Sequence, residues 1–157
     1  MDSLLLYELQ DLYSAEKQIV AALPEMQEAA TSPQLKKHFE KHRAETERHI
    51  ERLENVFESL QAKPGRHKCK GMEGLLEEGH EVIREEAEPR VKDAALIATA
   101  QRVEHYEMAG YGTVRTFAQI LGLDGAVSHL QDTLDEEKKT DARLTDLAVS
   151  EINPAAV

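Results

Sequence analysis

Apolar residues recur every three or four positions along most of the chain, and every such stripe is interrupted near its middle. Leu5, Leu9, Leu12, Ile19 and Leu23 form the first stripe, and Leu35, Phe39, Leu53 and Val56 the second. Leu96, Ala100, Val103 and Val114 form the third, and Leu130, Leu134, Leu144 and Ala148 the fourth. This is the period of a helix that lays one face on a core, and no segment alternates with the period of a strand. The interruptions are Glu16 in the first stripe, Glu45 and His49 in the second, Glu107 in the third, and Glu137 and Asp141 in the fourth. Apolar or small residues resume within about a turn each time, although Gly110 in the third stripe has no side chain to bury.

The turn signals divide the pattern into five helices. Asp2 and Ser3 are N-cap candidates for a helix to about Ala30, with Pro24 expected to kink it because Val20 loses a backbone donor. Ser32 and Pro33 suit the cap and first turn of a second helix to about Ala62, ended by Lys63-Pro64-Gly65-Arg66. Residues 63–71 read as a basic, solvated loop, followed by a shorter helix from Met72 to about Glu85. After a break at Glu86 to Pro89, a long helix spans about Val91 to Leu121 and stops at Gly122. Asp124 is expected to cap the last helix, which runs to about Ser150. Four long helices with one short helix on the central connection predict an all-α bundle, residues 1–152, with a C-terminal tail at 153–157.

Composition narrows the partners. The chain has 157 residues, enough for one domain with a real core, and 30 acidic against 19 basic residues give a net charge of -11. That balance excludes a nucleic-acid backbone as partner, which needs a basic footprint. The N-terminal residues lack a basic region and have acids between their apolar runs, so neither a signal peptide nor a membrane span is expected. Cys69 is the only cysteine, which excludes an internal disulfide and points to a reducing cytoplasm. One cysteine with His67 is too little for a zinc site.

The interruptions carry the chemistry. A carboxylate in a core costs several kcal/mol unless it is paired, hydrogen-bonded or bound to metal. Four helices that each bring such a group to mid-length suggest that the groups meet, and a pair of divalent metal ions is their simplest common partner. A weak internal repeat agrees: Glu16 and Glu45 are 29 residues apart, Glu107 and Glu137 are 30, and both Glu45–His49 and Glu137–Asp141 are spaced i,i+4. Two helical hairpins would then meet about a pseudo-twofold axis. The candidate ligands are Glu16, Glu45, His49, Glu104, Glu107, Glu137 and Asp141, with Glu104 either a ligand or an acceptor that braces one. The i,i+4 pairs depart from the more usual i,i+3 di-iron spacing, and Asp141 has a short arm for the task. His42 is read as a rim or hydrogen-bonding residue, His105 as a surface one, and Tyr13, Tyr106 and Tyr111 as core packing. Oxygen ligands with few imidazoles suit iron or manganese better than zinc or copper.

Several stretches also resemble one family. Asp11-Leu-Tyr-Ser-Ala-Glu16-Lys-Gln, Gly71-Met-Glu-Gly-Leu-Leu-Glu-Glu78, Asp93-Ala-Ala-Leu-Ile97, Val103-Glu-His-Tyr-Glu107 with Tyr111-Gly112-Thr113, and Glu136-Glu-Lys-Lys-Thr-Asp141 resemble, in order, the YciE/YciF group of ferritin-like bacterial proteins. The resemblance implies a ferritin-like four-helix bundle with an extra crossover helix, association as a homodimer without a ferritin shell, and a role in bacterial stress responses. It implies a potential di-metal site at the acids already named, but no established reaction. Two classes of function stay open. In one, an iron or manganese pair works on O2 or peroxide, with Glu45 and Glu137 as bridges. In the other, a structural or interaction protein holds a weak or empty site whose carboxyls are partly protonated.

Overall fold

A computed structural model describes residues 1–157. Five helices carry the fold: α1 (Asp2–Ala29), α2 (Pro33–Ser59), α3 (Lys70–Arg84), α4 (Pro89–Ile120) and α5 (Asp124–Leu147). A π-helical turn, Ala148–Ile152, and a last turn of helix, α6 (Asn153–Ala155), follow, so the expected tail begins helically. No strand forms, and no helix is long and apolar enough to cross a membrane.

The helix ends show where local chemistry overrides the pattern. Ser32 caps α2 by accepting the Leu35 N–H through Oγ, and Pro33 takes the first turn, as expected. α2 stops at Ser59 rather than Ala62, because Gln61 adopts φ 52° and Ala62 N–H returns to the Phe57 carbonyl, closing the turn. Met1, not Asp2 or Ser3, stands at the N-cap of α1, and Leu123, not Asp124, at that of α5; both aspartates lie in the first turn, where negative charge favours the helix dipole. α4 begins two residues before Val91, since Glu88 accepts the N–H groups of Arg90 and Val91. α1 continues through Pro24 as one element.

α1 packs on α2, α4 on α5, α1 on α4 and α2 on α5, closing a four-helix ring. Asp93 at the start of α4 accepts the backbone N–H groups of Thr31 and Ser32 and the Thr31 hydroxyl, so α4 starts where α1 ends. Arg52, late in α2, meets Thr133 and Glu136 in α5, while Ser32 at the start of α2 lies beside Glu151. α1 and α4 are therefore antiparallel, as are α2 and α5, which leaves α2 and α4 running the same way. A connection between parallel helices must travel back along the bundle, and residues 60–88 do so with α3 lying on α1 and α4.

The 63–71 loop is not simply solvated. Cys69 is fully buried: its N–H goes to Ser14 Oγ, its carbonyl accepts from Gln18, its Sγ lies 3.0 Å from Tyr106 Oη, and it caps α3. Gly71 leaves room for Tyr106, whose ring would stand 2.7 Å from an added Cβ. Gly110 likewise admits Leu12, whose Cδ2 would be 2.6 Å from a Cβ there. The missing side chain in the third stripe is thus filled from α1.

The apolar core is in two parts. One holds Ile19, Leu23, Phe39, Leu96, Val103 and Leu144, and the other Leu9, Leu12, Leu53, Val114, Leu130 and Leu134. Glu16, His49, Glu107 and Glu137, which interrupt the four stripes, form a buried polar layer across the bundle between these two parts.

Candidate metal centre

Each helix of the ring delivers polar groups to this layer because its sequence breaks at the same height. α1 supplies Glu16, α2 His42 and His49, α4 Glu104 and Glu107, and α5 Glu137, all buried. Two constellations result. His42, Glu104, Glu107 and Glu137 form one, Glu16, His49 and Glu137 the other, and in each the potential ligand atoms lie within 4.8 Å of one another. Opposite ligands of an ion held at about 2.1 Å would be about 4.2 Å apart, so a small contraction would enclose a cation in either group. Glu137 belongs to both.

The internal contacts leave many polar atoms unanswered. His42 Nε2 lies 3.1 Å from Glu104 Oε1, and His49 Nδ1 lies 2.7 Å from Glu137 Oε1 and 3.5 Å from Glu16 Oε1. These approaches lack hydrogen-bond alignment, and His42 Nε2, His49 Nδ1 and Glu137 Oε1 remain without a hydrogen-bond partner. Both carboxylate oxygens of Glu107 and of Glu137 are buried and unpartnered, as are Glu16 Oε2 and Glu104 Oε2. Buried polar groups almost always find partners, and leaving one unmade costs about 1–3 kcal/mol. So many orphaned acceptors converging on two points fit cations.

Electrostatics divides the groups. Burial alone would discharge His42, but the Glu104 carboxylate outweighs it and lifts the imidazole to about 9. His49, also opposed by burial, is raised to about 11 by Glu16 and Glu137. Burial drives Glu104 and Glu107 above the usual carboxylate range, reinforced by neighbouring acids. Burial pushes Glu137 up as well, but the His49 imidazole 2.7 Å away, with His42 and Glu104 close by, outweighs it and holds this carboxyl below the usual range. Without metal, the layer is a mixture of imidazolium, carboxylate and carboxylic acid.

The surrounding residues brace the layer. Tyr111, expected as packing, is fully buried and donates its hydroxyl to Glu16 Oε1. His49 Nε2 lies 2.8 Å from Glu136 Oε2, and Arg52 grips Glu136 through both oxygens at 2.8 and 2.9 Å. His42, expected as a rim or hydrogen-bonding residue, is not at the rim but sealed inside against Glu104.

Of the seven expected ligands, Glu16, His49, Glu104, Glu107 and Glu137 are brought together. Glu45 is not: its Oε1 faces Lys41 Nζ at 3.4 Å and Arg143 at 3.8 Å. Asp141 also stays outside, accepting from Gln101 at 3.0 Å and lying 3.3 Å from His105 Nε2. The i,i+4 partners thus meet cations and amides at the layer's edge. His42 and Tyr111 could have been read from spacing, His42 being seven residues from His49 and Tyr111 four from Glu107. Glu136 and Arg52 had no such signal, because both look like members of a solvated face.

Comparison with known proteins agrees with the fold. The model of the family described as a domain of unknown function (DUF892) matches residues 1–157. Protein YciF of Escherichia coli K12 is 46% identical over 157 residues, covering 99% of this chain and 95% of that protein. The crystal structure of the E. coli stress protein YciF superposes with a TM-score of 0.94 at 47% identity, over 97% of this chain and 96% of the other. YcfI of Rhodopseudomonas palustris, proposed there to be a structural protein, gives 0.90 at 45% identity over 92% of each chain.

Proposed function

The chain belongs to this DUF892 family, and on that premise we propose that it is a di-metal carboxylate protein of the bacterial stress response. The observation that carries the reading is the pair Glu107 and Glu137, whose four oxygens are buried without a partner, Glu107 in one ligand constellation and Glu137 in both. Glu137 would be shared by two ions, with His42, Glu104 and Glu107 on one side and Glu16 and His49 on the other. Carboxylate oxygens with one imidazole on each side suit iron or manganese.

Such a metal pair supplies one-electron redox steps in a protected site, which suits O2 or peroxide as reactant. The chain does the rest. The apolar layers containing Phe39 and Leu96 on one side, and Leu12 and Val114 on the other, keep bulk water from the acids. Tyr111 fixes Oε1 of Glu16, the oxygen nearest His49 Nδ1, and leaves Oε2 buried without a partner. We propose too that two copies associate, with exposed Leu4, Tyr7 and Ile120 available as apolar contact surface; light scattering at micromolar concentration tests this.

The test of the metal reading is elemental analysis of protein purified without chelators, together with its thermal melt. Two equivalents of iron or manganese in the wild type, lost in Glu107→Gln and Glu137→Gln, are expected. A second reading is favoured by one observation: His42 stands 3.1 Å from Glu104 and His49 2.7 Å from Glu137, so that imidazole–carboxylate pairs would let the layer neutralise itself as a structural element. Identical melts with and without metal would establish that reading and remove the first.

A further inference from the structure

An imidazole that binds a cation through one nitrogen must carry its proton on the other, so what faces the far nitrogen decides whether the near one is free. At His49 the far nitrogen is Nε2, 2.8 Å from Glu136 Oε2. An ionised carboxylate only accepts, so the proton belongs on Nε2. Glu136 cannot swing away easily, because the Arg52 guanidinium holds Oε2 at 2.8 Å and Oε1 at 2.9 Å, and Arg52 itself reaches Thr133 Oγ1 at 3.2 Å. The near nitrogen, Nδ1, is the atom that meets Glu16 and Glu137.

We infer that Glu136, clamped by Arg52, is a positioning residue that keeps the His49 proton on Nε2 and so presents Nδ1 to the cation shared with Glu16 and Glu137. The inference rests on the di-metal reading and gives the two metal positions different supports. The position built on His42 has no such carboxylate behind its histidine: His42 Nδ1 is buried without any partner. Disturbing Glu136 should therefore weaken one ion and spare the other.

Glu136→Gln is the sharpest probe, since it keeps the shape but removes the charge and places an amide NH2 against Arg52 in either orientation, and against His49 Nε2 as well when it takes the Oε2 position. Facing Nε2, that NH2 makes the nitrogen an acceptor and moves the proton to Nδ1. Loss of an outer partner of a ligating histidine typically costs about 10–100-fold in metal affinity. Calorimetric titration of the metal-free protein with Mn(II) should show two sites in the wild type. In Glu136→Gln one site should be 10–100-fold weaker and the other unchanged. Arg52→Lys, which keeps the charge but loses the two-point grip, should fall between, and Asp135→Asn on the exposed face should match the wild type.

The readout that a merely structural role would not move is the tautomer. In protein labelled with 15N-histidine and loaded with diamagnetic Zn(II), His49 should show Nε2–H and a metal-bound Nδ1, a pattern lost in Glu136→Gln. Two sites weakened equally, none weakened, or His49 bound through Nε2 would each overturn the role of Glu136 while leaving the di-metal reading in place. A wild type that takes up neither Mn(II) nor Zn(II) would overturn both.

Discussion

His42 Nε2 and Glu104 Oε1 lie 3.1 Å apart, with both side chains sealed from solvent by the bundle. A pair in such surroundings links stability to pH. The folded His42 pKa of about 9 exceeds its ordinary 6.5, so its contribution is complete below pH 6.5 and is lost as pH rises through 9. Raised Glu104 and Glu107 act in the same sense, because the folded state keeps protons that the unfolded chain has released. His49 extends the decline toward 11. Urea midpoints of the metal-free protein should fall steadily from pH 6.5 to 9, and His42→Gln should flatten that fall. A midpoint that holds or rises over this range would count against the charged pair.

Metal reverses the trend, since its ligands must be deprotonated. Binding to the folded state alone contributes about 2.7 kcal/mol at a hundredfold excess over the dissociation constant. For a chain of this size that is roughly 5–10 °C in melting temperature. Chelation at pH 7 should remove it, and the difference should shrink as pH falls and the acids take up protons. Glu137→Gln should abolish most of the difference because Glu137 serves both constellations. Glu47→Gln should leave it intact, as Glu47 sits half-exposed beside Arg43.

Glu107 exposes a conflict between stability and site. Both its oxygens are buried without a partner, so the metal-free protein bears their desolvation. Glu107→Met, similar in volume and without those oxygens, should stabilise the metal-free protein by about 1–3 kcal/mol while weakening its response to metal. Matched chemical denaturation of both proteins, with chelator and with Mn(II), checks the two effects separately. A destabilised metal-free Glu107→Met would mean that the carboxyl is satisfied within the protein.

Two glycines in α4 should respond oppositely to alanine. Gly110→Ala places a Cβ 2.6 Å from Leu12 Cδ2 and 3.3 Å from its Cγ in a packed core, and should cost about 1–3 kcal/mol. Gly112→Ala meets nothing within 4 Å in the same helix and should gain about 0.5–1 kcal/mol. Thermal melts of the two variants decide it, and equal effects would contradict the packing of Leu12 onto α4.

Much of this molecule is written in one dimension. A helical stripe records which residues face inward, whatever they face, so the four long helices, the crossover helix and the height of the polar layer follow from periodicity alone. Glu16, His49, Glu107 and Glu137 were legible for the same reason, being polar where the pattern demanded apolar, and Glu104 as a second acid one turn before Glu107. The ends of the helices were less so, since Gln61 in a left-handed turn and the Glu88 cap depend on single hydrogen bonds that no period records.

Tertiary structure decided which inward-facing acids converge. A helix face is broad, and four residues advance about 400° around the axis, so Glu45 and Asp141 sit rotated from their neighbours. What they meet is set by other helices: Arg143 of α5 stands near Glu45, and Gln101 of α4 reaches Asp141. The supports of the layer were invisible for a related reason. Arg52 and Glu136 become a clamp on His49 only because antiparallel α2 and α5 place residues 84 apart in sequence side by side. Periodicity determined that polar groups would lie at the centre of this bundle; the packing of the helices decided which of them touch.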